Sequence, residues 1–198
     1  MKSREFNKPT REIVVIAHNI RSVLNVGSIF RTCEGFGVSR IFLSGTTLNS
    51  ENQLPHVRAK MAKELRKTAL GAEEIVPHEF APDIFELIKE LKGNGFLIVG
   101  LEQDERAIPL PKYHCVIAGK AKQSSNTSED GSPRCARDDD CSFSKIALLL
   151  GEEVDGIAPE LRDACDDLVE IPMFGRKESF NVSVAVGIAL YALAQRIQ

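Results

Sequence analysis

The stretch EIVVIAHNIRSVLNVGSIFRTCEGFGVSRIFLSG, residues 12–45, changes its hydrophobic period twice and predicts a strand, a helix and a second strand. Residues 12–17 form a short apolar run rich in β-branched side chains, which is typical of a buried strand. From Val23 the period becomes helical, and Gly35 and Gly37 end the pattern. Apolar residues at this helical spacing are Val26, Ile29, Phe30, Cys33 and Phe36. Residues 40–45 return to a strand pattern.

The same alternation continues along the rest of the chain. The pattern predicts helices at 56–70, 81–95, 159–167 and 179–197. It predicts strands at 74–80, 96–102, 145–151 and 168–173. Continuous apolar strands that alternate with helices predict an α/β fold, in which helices flank a mostly parallel sheet. A chain of 198 residues is long enough for a real core, and we expect a single domain over residues 1–198.

One segment, residues 119–144, interrupts this alternation. It is polar, rich in Ser and Asp and poor in aliphatic side chains. Such a segment buries too little apolar surface to offset its ordering entropy, so we expect a disordered loop insertion. Cys135 and Cys141 could pair or help to hold a metal ion, but two cysteines without a nearby His are weak support. We therefore predict no metal site.

Composition narrows the class of protein. The net charge of -3 gives no overall attraction to nucleic acid, so any such binding must come from a local patch. No run of about 18 apolar residues is present, and the N-terminus resembles no signal peptide. Cys33, Cys115 and Cys165 lie in or beside apolar segments, as reduced core residues do. We expect a cytoplasmic protein with no membrane partner.

Three polar segments that carry glycine follow predicted strands, at 18–32, 151–159 and 172–181. Ligands of open α/β sheets bind outside the carboxyl ends of the strands, so the three segments predict one site. None matches a dinucleotide fingerprint or a P-loop. Taken singly, each has a simpler explanation, because Asn25 or Ser179 could cap a helix and Arg31 could reach solvent. Their equivalent positions at three strand ends favour a shared function.

The stretches NVGSIFRTCEGFGV (25–38), LLLGEEVDGI (148–157) and IPMFGRKESFNVSVAVGIALY (171–191) resemble the three ordered motifs of the TrmH-like SPOUT RNA 2′-O-ribose methyltransferases. KTALGAEE (67–74) also resembles that family. The resemblance covers the chain except the insertion and about the first dozen residues. It implies an α/β fold with a deep C-terminal trefoil knot, a homodimer, S-adenosylmethionine as methyl donor and a ribose 2′-hydroxyl as acceptor.

The resemblance also implies roles for individual residues. The catalytic set would be Asn25, Arg31, Glu153, Ser179 and Asn181. The donor would be held near Leu101, Gly151, Ile171, Met173 and Phe180. Glu152 departs from the family, which often has Asn or Gln there. We expect its carboxylate to point away from the anionic substrate or to pair with Arg176 or Lys177.

Three lysines and the size of the chain bear on the RNA substrate. Lys60, Lys63 and Lys67 form a basic stripe on one predicted helix, and a solvated helix face explains them at least as well as an RNA contact. The chain resembles a minimal catalytic unit, which favours tRNA over rRNA. The alternative is a non-catalytic RNA-binding or assembly factor of the same fold, although all five catalytic matches are intact. Residues 182–194 are apolar nearly all round, so that helix needs burial against its own sheet and against a partner subunit.

Overall fold

The computed structural model of this chain describes residues 11–48, 55–113 and 145–194. The expected insertion at 119–144, with Cys135 and Cys141, lies outside the described residues, as does Cys115. Of the other two cysteines expected in the core, Cys33 is buried and Cys165 is partly buried, and both are free thiols. Within the described ranges, no helix has the length and apolar character needed to cross a membrane.

The described residues form a seven-stranded sheet in which every neighbouring pair of strands is parallel. The strands are β1 (Glu12–His18), β2 (Arg40–Ser44), β3 (His78–Ala81), β4 (Leu97–Leu101), β5 (Ile108–Pro109), β6 (Lys145–Leu150) and β7 (Asp167–Glu170). Their order across the sheet is β3-β2-β1-β6-β4-β7-β5. This confirms the predicted α/β fold with a parallel sheet.

Helices cover both faces of the sheet. The helices whose bounds lie within the described residues are α1 (Val23–Gly35), α2 (Pro55–Ala69), α3 (Ala72–Ile75), α4 (Ile84–Gly93), α5 (Pro159–Ala164) and α6 (Val182–Ala194). Alternate residues of each central strand point to opposite faces. Val15 therefore packs in the core formed with α1 and α6, while its neighbour Ile16 packs in the core formed with α4 and α5.

Several predicted boundaries were wrong. The strand expected at 168–173 ends at Glu170, because Pro172 two residues later has no N–H to continue the ladder. The helix expected from residue 179 begins at Val182, and the Asn181 side chain accepts the Ser183 N–H over 2.9 Å. Residues 171–181 form an irregular segment between the two elements.

The strand predicted at 74–80 was also misplaced. Its first residues belong to the short helix α3, and the strand itself, β3, begins only after Pro77, at the edge of the sheet. The two-residue strand β5 was missed altogether. Both elements are too short for a period to be read from the sequence.

Helix α1 is held firmly between its neighbours. Ser22 caps it, since its Oγ accepts the Asn25 N–H over 3.3 Å. Gly27 is buried against α2, and a Cβ added there would lie 2.7 Å from the Leu65 carbonyl oxygen. The other side of α1 packs against α6. The polar residues of α1 are therefore carried on a rigid support.

Candidate active site

Four neighbouring strands end at the same edge of the sheet. Ala17 of β1 is in register with Leu150 of β6, and Leu150 is in register with Leu101 of β4. Leu101 is also in register with Val169 of β7. The segments that follow these strands, including the three predicted from the sequence, therefore meet at one place.

A cavity of about 290 Å³ opens at this edge. Of the five residues expected to hold a methyl donor, four line the cavity and Met173 does not; the four are Leu101, Gly151, Ile171 and Phe180. Glu153 and Ser179, both from the expected catalytic set, also line it. The structure thus brings together residues from three separate parts of the sequence.

Asn25 connects two other members of the expected catalytic set, Glu153 and Asn181. Its Nδ2 donates to Glu153 Oε1 over 3.1 Å, and its Oδ1 accepts a hydrogen bond from Asn181 Nδ2 over 3.3 Å. Asn181 Oδ1 is occupied by Ser183 at the start of α6. The network links α1, the loop after β6 and the entry to α6, so it fixes their relative positions.

The Glu153 carboxylate accepts three hydrogen bonds from this part of the chain. Besides the Asn25 amide, it accepts the backbone N–H groups of Arg21 over 3.2 Å and Ser22 over 3.1 Å. Partial burial acts to raise the pKa of this carboxyl, but the hydrogen bonds from Ser22, Asn25 and Arg21 outweigh it and the net pKa is lowered. Glu153 is therefore a fixed anion that accepts hydrogen bonds.

Arg31 lies apart from the cavity. It is exposed on α1 and, within the described ranges, makes no hydrogen bond or ion pair. It lies six residues beyond Asn25, which corresponds to about 9 Å along the helix axis. The three lysines of the predicted basic stripe are likewise exposed on α2; they are Lys60, Lys63 and Lys67.

The loop after β6 is closed by glycines and by Glu102. A Cβ on Gly151 would lie 2.3 Å from the carbonyl carbon of Gly156, so only glycine fits there. Gly156 has a φ of +67°, which also favours glycine. Glu102 Oε2 accepts the Ile157 N–H over 2.5 Å and holds the loop from the side of β4.

Sequence reasoning missed the segment after β4 apart from Leu101. Glu102 lines the cavity, and the Gln103 side-chain amide donates to the Glu178 carbonyl oxygen. Their position directly after a buried parallel strand was the available signal, because ligands bind at that end of the sheet. It was overlooked because these residues match no motif.

The pairing expected for Glu152 was wrong. Its carboxylate pairs with neither Arg176 nor Lys177; instead, Glu152 Oε2 lies 2.7 Å from Arg21 Nη2. The physical reason is that Glu153 already binds the backbone N–H of Arg21, which brings that residue beside the preceding carboxylate. Glu152 also lines the cavity.

Known proteins share both the sequence and the fold. The chain is 28% identical over 190 residues to the tRNA (guanosine(18)-2'-O)-methyltransferase of Aquifex aeolicus, across 96% of this chain and 71% of that one. It is 28% identical over 178 residues to the 23S rRNA (guanosine-2'-O-)-methyltransferase RlmB of Neisseria meningitidis, across 90% and 56%. The chain therefore spans little more than half the length of that second relative.

Solved structures support the fold. The AdoMet-bound rRNA methyltransferase from Sinorhizobium meliloti superposes with a TM-score of 0.67 at 22% identity, over 95% of this chain and 57% of that one. The TrmH/SpoU tRNA modifying enzyme of A. aeolicus gives a TM-score of 0.64 at 22% identity, over 94% and 76%. The profile of the SpoU rRNA methylase family matches residues 12–191. This confirms the resemblance to TrmH-like SPOUT proteins, and the chain belongs to the SpoU rRNA methylase family.

Proposed function

We propose that this protein transfers a methyl group from S-adenosylmethionine to a ribose 2′-hydroxyl of structured RNA. The observation that carries the proposal is the cavity at the strand ends, joined through Glu153 to Asn25 and Asn181. Both relatives described above are named guanosine-2′-O-methyltransferases, which supports the same reaction here.

The cavity suits a cationic donor. Among the described residues, six acidic residues and no Lys, Arg or His line it; the six are Glu102, Glu152, Glu153, Asp155, Glu170 and Glu178. S-adenosylmethionine carries a sulfonium, an ammonium and a carboxylate group, so it is a net cation, and when bound it supplies an electrophilic methyl group. Apolar side chains of Leu101, Ile171 and Phe180 would flank its adenine, and backbone groups of the glycine loop would pair with the ring edge.

The chain's own polar residues would position the acceptor. The network of Asn25, Glu153 and Asn181 holds the site in one geometry, and positioning supplies much of the acceleration in such a displacement. Arg31 would grip an RNA phosphate and the ribose oxygen. A guanidinium stays protonated at physiological pH and is a poor base, so the proton of the hydroxyl would pass to phosphate or water.

A homodimer is part of the proposal. Arg31 does not line the cavity of its own subunit, and the helix pair α1–α6 exposes apolar surface at Leu24 (46%), Val184 (50%) and Tyr191 (61%). A second copy would cover this surface and would place the partner's α1 beside the cavity. Arg31 of one subunit would then serve a donor bound in the other.

The remaining parts of the proposal rest on family membership. They are a C-terminal trefoil knot, a cytoplasmic setting and tRNA as the favoured substrate. Of the two curated relatives, the tRNA enzyme aligns with more of both chains than the 23S rRNA enzyme does. The exposed lysines of α2, together with Arg31, would provide the local basic patch that a net negative chain needs for RNA binding.

The proposal is tested by mapping ribose methylation in cells with and without the protein. We expect one or a few ribose methylations to disappear, from tRNA in the favoured case. The purified protein should restore them with labelled S-adenosylmethionine. If the protein binds both RNA and the donor but transfers no methyl group, the non-catalytic alternative is favoured.

A further inference from the structure

Two consecutive carboxylates hold the segment that precedes α1. Glu153 accepts the backbone N–H groups of Arg21 and Ser22, while Glu152 forms an ion pair of 2.7 Å with the Arg21 guanidinium. The main chain and the side chain of Arg21 are thus held by different carboxylates. The guanidinium can leave Glu152 while the backbone stays in place.

The two ends of the ion pair lie in different surroundings. The Arg21 side chain is 71% exposed, whereas that of Glu152 is 17% exposed and lines the cavity. The pair therefore joins the outer surface before α1 to the proposed donor site. Because the Arg21 guanidinium is exposed to water and to salt, which screen its attraction to Glu152, a better anion can take it away.

Arg21 compensates part of the negative charge of the residues that line the cavity. Within residues 11–48, 55–113 and 145–194, it is the one cationic side chain in an ion pair with a cavity carboxylate. Glu102 and Glu153 accept backbone N–H groups instead. Removing Arg21 from Glu152 would therefore leave the cavity with one more uncompensated negative charge.

We propose that Arg21 is an RNA phosphate contact whose transfer from Glu152 couples RNA binding to donor binding. A phosphate accepts the guanidinium fork in bidentate geometry, which an RNA backbone offers next to the expected acceptor site. Glu152 then faces the cavity without its counter-ion and attracts the cationic donor more strongly. The inference rests on the proposed function and adds that each substrate raises the affinity of the protein for the other.

The coupling makes a prediction that a merely structural ion pair does not. RNA should raise the donor affinity of the natural protein, by about fivefold or more, and the donor should raise RNA affinity by the same factor. Arg21→Gln should bind the donor more tightly even without RNA, because Glu152 is already uncovered. Glu152→Gln should lose the coupling. A structural role predicts the opposite for Arg21→Gln, namely weaker donor binding.

The experiment is calorimetry of S-adenosylmethionine binding to the full-length protein, with and without an unmodified tRNA transcript and, separately, a 23S rRNA transcript. The variants are Arg21→Gln and Glu152→Gln. Arg40→Gln is the control for loss of an exposed arginine, since Arg40 forms an ion pair of 2.9 Å with Glu79 away from the cavity. The salt dependence of RNA binding is measured alongside, and Arg21→Gln should reduce its slope by about 0.7–0.9, the contribution of one phosphate contact.

The outcomes separate the two proposals. Tighter donor binding by Arg21→Gln, with coupling lost in both variants and kept in Arg40→Gln, supports the inference. If all the proteins bind donor and RNA but the variants keep the coupling unchanged, the inference is overturned and the proposed function stands. The same holds if Arg21→Gln binds the donor more weakly. A natural protein that binds neither S-adenosylmethionine nor RNA overturns both.

Discussion

The Asn25 side chain donates to Glu153 over 3.1 Å although 128 positions separate the two residues in the sequence. This contact connects the rigid helix α1 to the glycine loop after β6. We expect Asn25→Asp to place a second carboxylate against Glu153 and to lower S-adenosylmethionine affinity about tenfold, or 1.4 kcal/mol. Calorimetry measures the loss. Glu34→Gln, an exposed charge change on the same helix, is the control, and equal losses in both variants would contradict the prediction.

Glu153 should make folding stability depend on pH in a defined direction. Its pKa is lowered in the folded protein by hydrogen bonds that outweigh burial, so the unfolded state binds the proton more readily. The contribution of Glu153 is present above the unfolded pKa of about 4.3 and is lost as pH falls through the lower folded pKa. Denaturant titrations should show Glu153→Gln less stable than the natural protein at neutral pH, with the difference shrinking on acidification. A difference that grew as the pH fell would have the wrong sign.

Arg31→Ala should separate folding from activity. The side chain is exposed on α1, whereas the apolar face of that helix stays intact. We expect a folded dimer that binds S-adenosylmethionine with normal affinity and transfers no methyl groups. Loss of donor binding in a folded Arg31→Ala protein would contradict the prediction and show that Arg31 helps to hold the donor.

Mixed dimers test whether the site is shared between subunits. Ile171→Trp should block the donor cavity, which Ile171 lines, so each single variant is inactive alone. A heterodimer of Arg31→Ala and Ile171→Trp has one donor-competent cavity, and its partner subunit supplies an intact Arg31. We expect about half of the natural activity for each heterodimer. Verified heterodimers without activity would show that donor and Arg31 belong to the same chain.

Two glycines of α1 should respond in opposite ways to the same substitution. Gly27→Ala forces a Cβ to within 2.7 Å of the Leu65 carbonyl oxygen and 2.0 Å of Thr68 Oγ1, and overpacking of this kind costs about 1–3 kcal/mol. Gly35→Ala meets no atom within 4 Å and should stabilise the helix by up to about 1 kcal/mol. Denaturant unfolding of both variants measures the contrast. Similar stabilities would mean that α2 can move away from α1.

The exposed face of α6 should control assembly. Val184→Glu with Tyr191→Glu places two charges on surface that is 50% and 61% exposed in the single chain, so the protomer should still fold. We expect monomers in sedimentation analysis. Phe85→Glu, at an equally exposed residue on α4 across the sheet, should remain dimeric. If the double variant is still a dimer, the interface does not lie on this face of α6.

The sequence predicted the parts of this protein that follow a clear period. The runs that became β1, β4 and β6 are continuous and apolar, and α1 keeps its spacing over more than three turns. The short elements α3 and β5 have four and two residues, too few to show a period. Tertiary pairing, not local preference, places them.

For a similar reason, the sequence predicted some contacts of the candidate site and missed others. Motif resemblance pointed to Asn25, Glu153 and Asn181, and these residues do meet. The partner of Glu152 could not be found in that way, because a long ion-pairing side chain such as that of Arg21 carries no motif. Its position depends on backbone hydrogen bonds that only the folded chain reveals.

The pairing of β1 with β6 has a consequence for synthesis of the chain. Glu12 is in register with Lys145, so one edge of a central strand, whose five inner residues are apolar and buried, lacks its partner until about 130 more residues have been made. At ribosomal rates of about 5–20 residues per second, that interval lasts roughly 7–27 seconds. An unpaired apolar edge is a template for aggregation. The nascent protein is therefore most in need of chaperone protection after β1 emerges and before β6 leaves the ribosome.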